Sequence, residues 1–91
     1  MPYSYKTSKN LDRILEKLLR KDKSTYEQVM KKIEEVINSQ NVEHYKNLKY
    51  NMKECKRVHI GSFVLVFKFN KPINLIEFDD FEHHDNIYAK K

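Results

Sequence analysis

Residues 54–78 read ECKRVHIGSFVLVFKFNKPINLIEF and hold three runs rich in branched and aromatic side chains, ECKRVHI, FVLVFKF and INLIEF. Gly61-Ser62 separates the first two, and Asn70-Lys71-Pro72 separates the last two. This is the punctuation of two hairpins, so three consecutive antiparallel strands are expected. In the first strand, alternation sends Val58 and Ile60 to one face and Arg57 and His59 to the other. One face is core and the other offers bases. The middle run is apolar on both sides, with Phe63, Leu65, Phe67 and Phe69 set against Val64 and Val66. It should be central and covered on at least part of each face.

Working outward, residues 3–7, YSYKT, alternate aromatic and polar, which suits a short strand with Tyr3 and Tyr5 on one face. Ser8 can cap a helix over about 9–21, whose stripe is Leu11, Ile14, Leu15, Leu18 and Leu19. Ser24 and Glu27 form a capping box for a second helix over about 25–38, with Tyr26, Val29, Met30, Ile33, Val36 and Ile37 on its apolar face. A link as short as 21–23 permits only an antiparallel pair, so the two stripes meet a common core. Residues 39–53, SQNVEHYKNLKYNMK, have no clean period and read as a loop that packs partly down. The order is β-α-α-β-β-β: an α+β fold, expected as a single domain over 1–91.

Composition narrows the function. Of 91 residues, 40% are hydrophobic and Gly plus Pro fill three positions, which excludes a disordered or collagen-like chain. No apolar run approaches the roughly 20 residues of a bilayer span, and MPYSYKTSKN lacks the apolar stretch of a secretion signal. A cytoplasmic location with no membrane contact is expected. The single cysteine, Cys55, cannot form an internal disulfide and reads as a packed thiol. The formal charge of +5 is concentrated upstream: residues 1–60 carry 14 basic and 8 acidic side chains, residues 61–91 carry 4 and 5. Such a surplus draws a phosphate backbone or an acidic partner without choosing between them.

With one glycine in the chain a Gly-rich phosphate loop is excluded, and no serine or cysteine nucleophile constellation is present. The tail FEHHDNIYAK, 81–90, gathers His83, His84 and Asp85 near Asp79, Asp80 and Glu82. Its spacing lacks the helical H-x3-H or paired-cysteine pattern of a zinc site, and adjacent histidines in a strand point to opposite faces. A solvated acidic turn is the preferred reading, with no metal and no cofactor.

What remains is a polar set, Arg57 and His59 from a strand and His84 and Tyr88 from the tail, beside Lys46, Lys49, Lys53 and Lys56. These residue types suit RNA cleavage by the 2′-hydroxyl. Such a reaction needs a base for that proton, cations for the charged phosphorane and an acid for the leaving 5′-oxygen. A tyrosine can stack on a base or donate a proton. Each residue also has a plain structural role open to it: an exposed strand histidine, an ion pair from Arg57 to Glu54 or Glu77, a packing tyrosine, solvated lysines.

The order strand, helical hairpin, three antiparallel strands resembles the RelE/ParE toxin superfamily of toxin–antitoxin systems over nearly the whole chain. Its members show a leucine after a basic or polar loop, a basic strand, glycine, an aromatic-x-aliphatic-aliphatic-aromatic strand and a tail with an aliphatic-tyrosine pair. Here these are KNLKYNMKECKRVHIGSFVLVFKF, 46–69, and HHDNIY, 83–88. The chain is closer to the RelE-like branch, including archaeal-type members with a His-His-Asp tail, than to the gyrase-directed ParE branch.

The resemblance implies a toxin that cleaves messenger RNA on the ribosome without a metal and is silenced by a cognate, acidic RelB-like antitoxin, in a complex that could be a heterotetramer. It maps Arg57 and His59 onto the two basic positions of the first hairpin strand, His84 onto the basic position before the tail tyrosine, and Tyr88 onto that tyrosine. His59 would be the base or a phosphate contact, Arg57 the transition-state cation, His84 the proton donor or second phosphate ligand, and Tyr88 the stacking platform. Lys46, Lys49, Lys53 and Lys56 would contact RNA. One position departs: Val64 stands where RelE-like nucleases usually place arginine. Losing one charge-stabilising donor costs roughly 2.7 to 4 kcal/mol of transition-state stabilisation. A non-enzymatic ParE-like gyrase inhibitor and a detoxified antitoxin-binding module are the alternatives.

Overall fold

The computed structural model describes residues 3–48 and 54–87. The elements come in the expected order: β1 Ser4–Thr7, α1 Lys9–Lys21, α2 Lys23–Ile37, β2 Lys56–Ile60, β3 Phe63–Asn70 and β4 Leu75–His83. The chain is an α+β fold with one mixed sheet, ordered β1-β4-β3-β2. β2, β3 and β4 form the antiparallel meander, while β1 lies parallel to β4 with Ser4 opposite Leu75.

Ser8 caps α1 as its sequence suggests: its hydroxyl accepts the Leu11 N–H at 3.0 Å and donates to the Asp79 carbonyl at 2.7 Å, tying the helix start to β4. The start of α2 differs from expectation. Asp22, the one residue between the helices, caps it in place of the Ser24–Glu27 box, accepting the Thr25 N–H at 3.2 Å and the Thr25 hydroxyl at 2.7 Å. A carboxylate at this position satisfies two donors at once, so α2 begins two residues early. The hydroxyl bond and then the amide bond from Thr25 hold the Asp22 carboxyl below its usual range.

The helices cover one face of the sheet. Leu11, Val29, Ile33 and Val36 meet Leu65, Phe67, Ile76, Phe78 and Phe81 in the main core. Tyr3 and Tyr5 share that face, edge-on to Phe69 at 5.4 Å and Phe78 at 5.9 Å. Leu19, placed on the apolar stripe by its spacing, is instead 47% exposed. Within the loop, Val42–His44 make one 3₁₀ turn that drives Val42 fully into the core, and the Val42 N–H donates to the Tyr3 hydroxyl at 3.3 Å.

The largest difference from the sequence reading is the last strand, expected over 73–78 and found over 75–83. Residues 71–73 form a 3₁₀ turn closed by Asn74 in the left-handed region, which delays the strand. A β-bulge then prolongs it: Val66 pairs with Asp80 but Phe67 with Phe78, leaving Asp79 as the extra residue. Phe78 and Phe81 are three apart and would face opposite ways in a regular strand. The bulge returns Phe81 to the helix-covered face, where Phe63 stacks on it at 5.0 Å.

Candidate active site

Among the described residues, α1 and α2 leave the second face of the sheet uncovered. Its apolar floor is Val64 and Val66 of β3, which cluster with Leu48, Cys55 and Ile87, all at most 7% exposed. The apolar second face of β3 signalled this cover, although not its source. Burial pushes the Cys55 thiol above its ordinary range, in keeping with a packed cysteine.

Two rows cross this face by strand register. His59 lies opposite Val64, which lies opposite Glu82; Arg57 lies opposite Val66, which lies opposite Asp80. Arg57 and His59 are two apart on β2 and therefore neighbours on the open face, and Arg57 Nη1 meets His59 Nε2 at 2.6 Å. A guanidinium has only donors, so Nε2 accepts and the ring carries its proton on Nδ1. The open face thus grades from basic at β2, across a valine floor, to carboxylates on β4. Val64 is 1% exposed, so the position expected to carry a cation instead anchors the floor.

His84 is joined to the same end of the sheet. Its N–H donates to the Ser62 carbonyl in the β2–β3 turn at 3.0 Å, three residues from His59. Its Nε2 lies 3.1 Å from Asp85 Oδ1, which orients an otherwise exposed ring. The turn itself has Gly61 at φ 61° followed by a residue with negative φ, the pattern of a two-residue II′ hairpin.

The expectation that His83 and His84 diverge does not hold. The strand ends at His83 and a turn begins at His84, so the alternation stops between them and the rings tilt together with centroids 5.3 Å apart. His83 Nδ1 accepts the Asp85 N–H at 3.2 Å, and its ring meets Phe63 edge-on, a structural role. Among the described residues, His83, His84 and Asp85 bring ligand atoms within 4.8 Å of one another and could hold a metal ion. They offer three ligands from one largely exposed turn, without the fourth side chain that closes a structural zinc site.

The lysines divide. The Lys56 ammonium donates to the Glu43 and Tyr45 carbonyls at 3.3 and 3.1 Å and to Asn47 Oδ1 at 2.9 Å, so it staples the loop to β2. Lys46 is exposed, and its carbonyl accepts the Arg57 N–H at 3.0 Å, which sets it beside the basic row. Lys49, Lys53 and Tyr88 lie outside the described residues. Sequence reasoning had Leu48, Ile87 and Asp85 within its motifs but not their roles, as cover of the valine floor and as the partner of His84, and it missed the Ser62 tether.

Away from this site, Lys68 sits 3.8 Å from Asp79 and 3.7 Å from Glu54. Burial first, opposed by Lys68, raises the Asp79 carboxyl, and Asp79 first among its partners raises Lys68. Among the described residues, no helix is long and apolar enough to cross a membrane.

No family model matches the chain. A relative from Methanocaldococcus jannaschii named "Putative toxin RelE4" is 47% identical over 98% of this chain and 94% of its own length. The free Escherichia coli toxin RelE, solved as a mutant, superposes with a TM-score of 0.69 at 20% identity over 98% of this chain and 90% of its own. The toxin in the intact E. coli RelBE toxin–antitoxin complex does so at 0.62 and 24% identity, over 89% and 95%. A curated relative sharing nearly half its residues over almost the full length, on the same order of strands and helices, shows that the chain belongs to the RelE toxin family.

Proposed function

We propose that the chain is the toxin of a type II toxin–antitoxin pair and acts as a metal-independent endoribonuclease on ribosome-bound messenger RNA. The observation that carries this reading is the Arg57–His59 contact at 2.6 Å on the sheet face that α1 and α2 leave uncovered. A phosphodiester arriving there competes for the guanidinium, because two anionic oxygens are better acceptors for its fork than one imidazole nitrogen. His59 Nε2 is then released beside the ribose. It takes the 2′-hydroxyl proton, the 2′-oxygen attacks phosphorus, and the bond to the 5′-oxygen breaks. His84 returns a proton to that oxygen, leaving a cyclic phosphate and a 5′-hydroxyl. Arg57, with Lys46 in reach, stabilises the phosphorane, and Tyr88 stacks on the base that orients the strand.

The partner is an acidic, RelB-like antitoxin whose carboxylates cover the basic row and which folds as it binds. Membership in the family, and the RelBE complex among the solved neighbours, support this pairing. Cytoplasmic action follows from a ribosomal target.

A binding-only module is the second reading, favoured by Val64, since a buried valine leaves no cation at that position. Primer extension on a translated message after induction separates the two. Discrete cuts that vanish in His59→Ala and His84→Ala support the nuclease, whereas cuts unchanged in both variants, or intact message in arrested cells, overturn it.

A further inference from the structure

A groove of about 270 Å³ runs between α2 and the outer edge of β2, lined by Gln28, Lys31, Lys32 and Glu35 on the helix and by His59 and Gly61 on the sheet side. β2 is the last strand of the sheet, and among the described residues its outer side is paired only at its start, by the Asn47–Lys56 bridge. Ile60 and Phe63 close the two-residue turn as partners, which directs the Ile60 and Val58 amides inward and those of Arg57 and His59 outward. The Arg57 N–H bears this out by reaching outward to the Lys46 carbonyl. The 39–48 loop covers that end of the edge. Farther along, the His59 N–H meets no acceptor among the described residues and faces the groove. Lys32 is paired with Glu35 at 3.2 Å, while Lys31 is exposed and makes no ion pair among the described residues. The lining therefore presents a free peptide donor, an amide and a net positive charge: donors suited to a phosphate oxygen.

His59 belongs to both surfaces. Its ring meets Arg57 on the open face, and the residue also lines the groove, toward which the strand pattern turns its amide. We propose that this groove is a second phosphate subsite, which holds the backbone of a single RNA strand one nucleotide beyond the phosphate at Arg57 and His59 as the strand turns around the β2 edge. The proposal rests on the nuclease reading for the choice of RNA, and it adds Lys31 and the His59 amide as binding groups that position the strand. Glu35 limits the charge of the subsite and keeps binding weak enough for release.

The test is an amide NMR titration of the full chain with a short single-stranded RNA made uncleavable by 2′-deoxy substitution. The His59, Gly61 and Lys31 amides should shift together on one binding curve. Lys31→Glu should abolish those shifts, weaken binding about tenfold and lower the log–log salt slope by about 0.7. Glu35→Gln should tighten binding. Shifts confined to the open face, an unchanged Lys31→Glu affinity, no shifts at all, or equal shifts with a polyglutamate peptide would each overturn the subsite. Primer extension on the same proteins keeps the two readings apart. Wild-type protein that cuts message but fails the titration overturns the groove alone. Protein that passes the titration but cuts nothing overturns the nuclease alone.

Discussion

The two faces of the sheet are built on opposite terms. The helix-covered face packs Leu11, Val29, Ile33, Leu65, Phe67, Ile76 and Phe78 to 2% exposure or less. The open face has only a thin apolar patch under Leu48, Cys55 and Ile87, with the charged rows beside it. Most of the apolar core lies on the first, and the proposed binding groups lie on the second. Arg57 and His59 can stay polar and partly solvated because the fold does not depend on burying them. Val64 and Val66, beside them on β3, are buried in one cluster with Ile87 of the tail.

Mutations on the two faces should therefore separate stability from activity. Phe67→Ala empties the centre of the covered face, where Phe67 touches Tyr45 and Phe78. It should cost about 3–5 kcal/mol, a large share of the stability of a domain this size, read as a lower denaturant midpoint. His59→Ala should instead lower message cleavage by about 10²–10⁴-fold while shifting stability by about 0.5 kcal/mol or less. If His59→Ala unfolds the protein, the division of labour between the faces is wrong.

Ile87→Ala sharpens the comparison, because Ile87 is buried yet clusters with the valines of the open face. We expect a loss of about 2 kcal/mol, near the low end for such truncations. Cleavage should fall by more than the unfolded fraction explains, since the tail loses its anchor. Equal losses of cleavage and folded protein would reduce Ile87 to packing alone.

The smallest expected effect lies far from both faces, at the Asp22 cap. Its folded carboxyl is held below its ordinary value of 3.8, so its contribution is present above that value and is lost as pH falls through the folded value. Asp22→Asn keeps an acceptor for the Thr25 N–H and should flatten this acid-side slope without a large change at neutral pH. An unaltered slope in acid denaturation curves would assign the titration to other carboxyls.

Much of the fold was legible because the covered face obeys strict periods. Helical spacing marked Leu11 and Val29, alternation separated Val58 and Ile60 from Arg57 and His59, and Gly61-Ser62 marked the hairpin. The reading failed where the period breaks. A bulge at Asp79 hid the second half of β4, and a cap one residue long hid the start of α2. At the site, the pairing of Arg57 with His59 was readable from their spacing in a strand. The tether from His84 to Ser62 joins residues 22 positions apart, and no local pattern encodes it.

The sequence alone determined the order of elements, the basic character of β2, the family resemblance and the replacement of a cation by Val64, since all of these are properties of residue type and spacing. Only the tertiary structure decided that Val64 is buried in one cluster with Ile87, that Lys56 is occupied by the loop, and that His59 opens onto a groove beside Lys31. These depend on which segments meet across the sheet. That is set by the summed packing of distant side chains and by where a free strand edge remains, neither of which any short window of sequence contains.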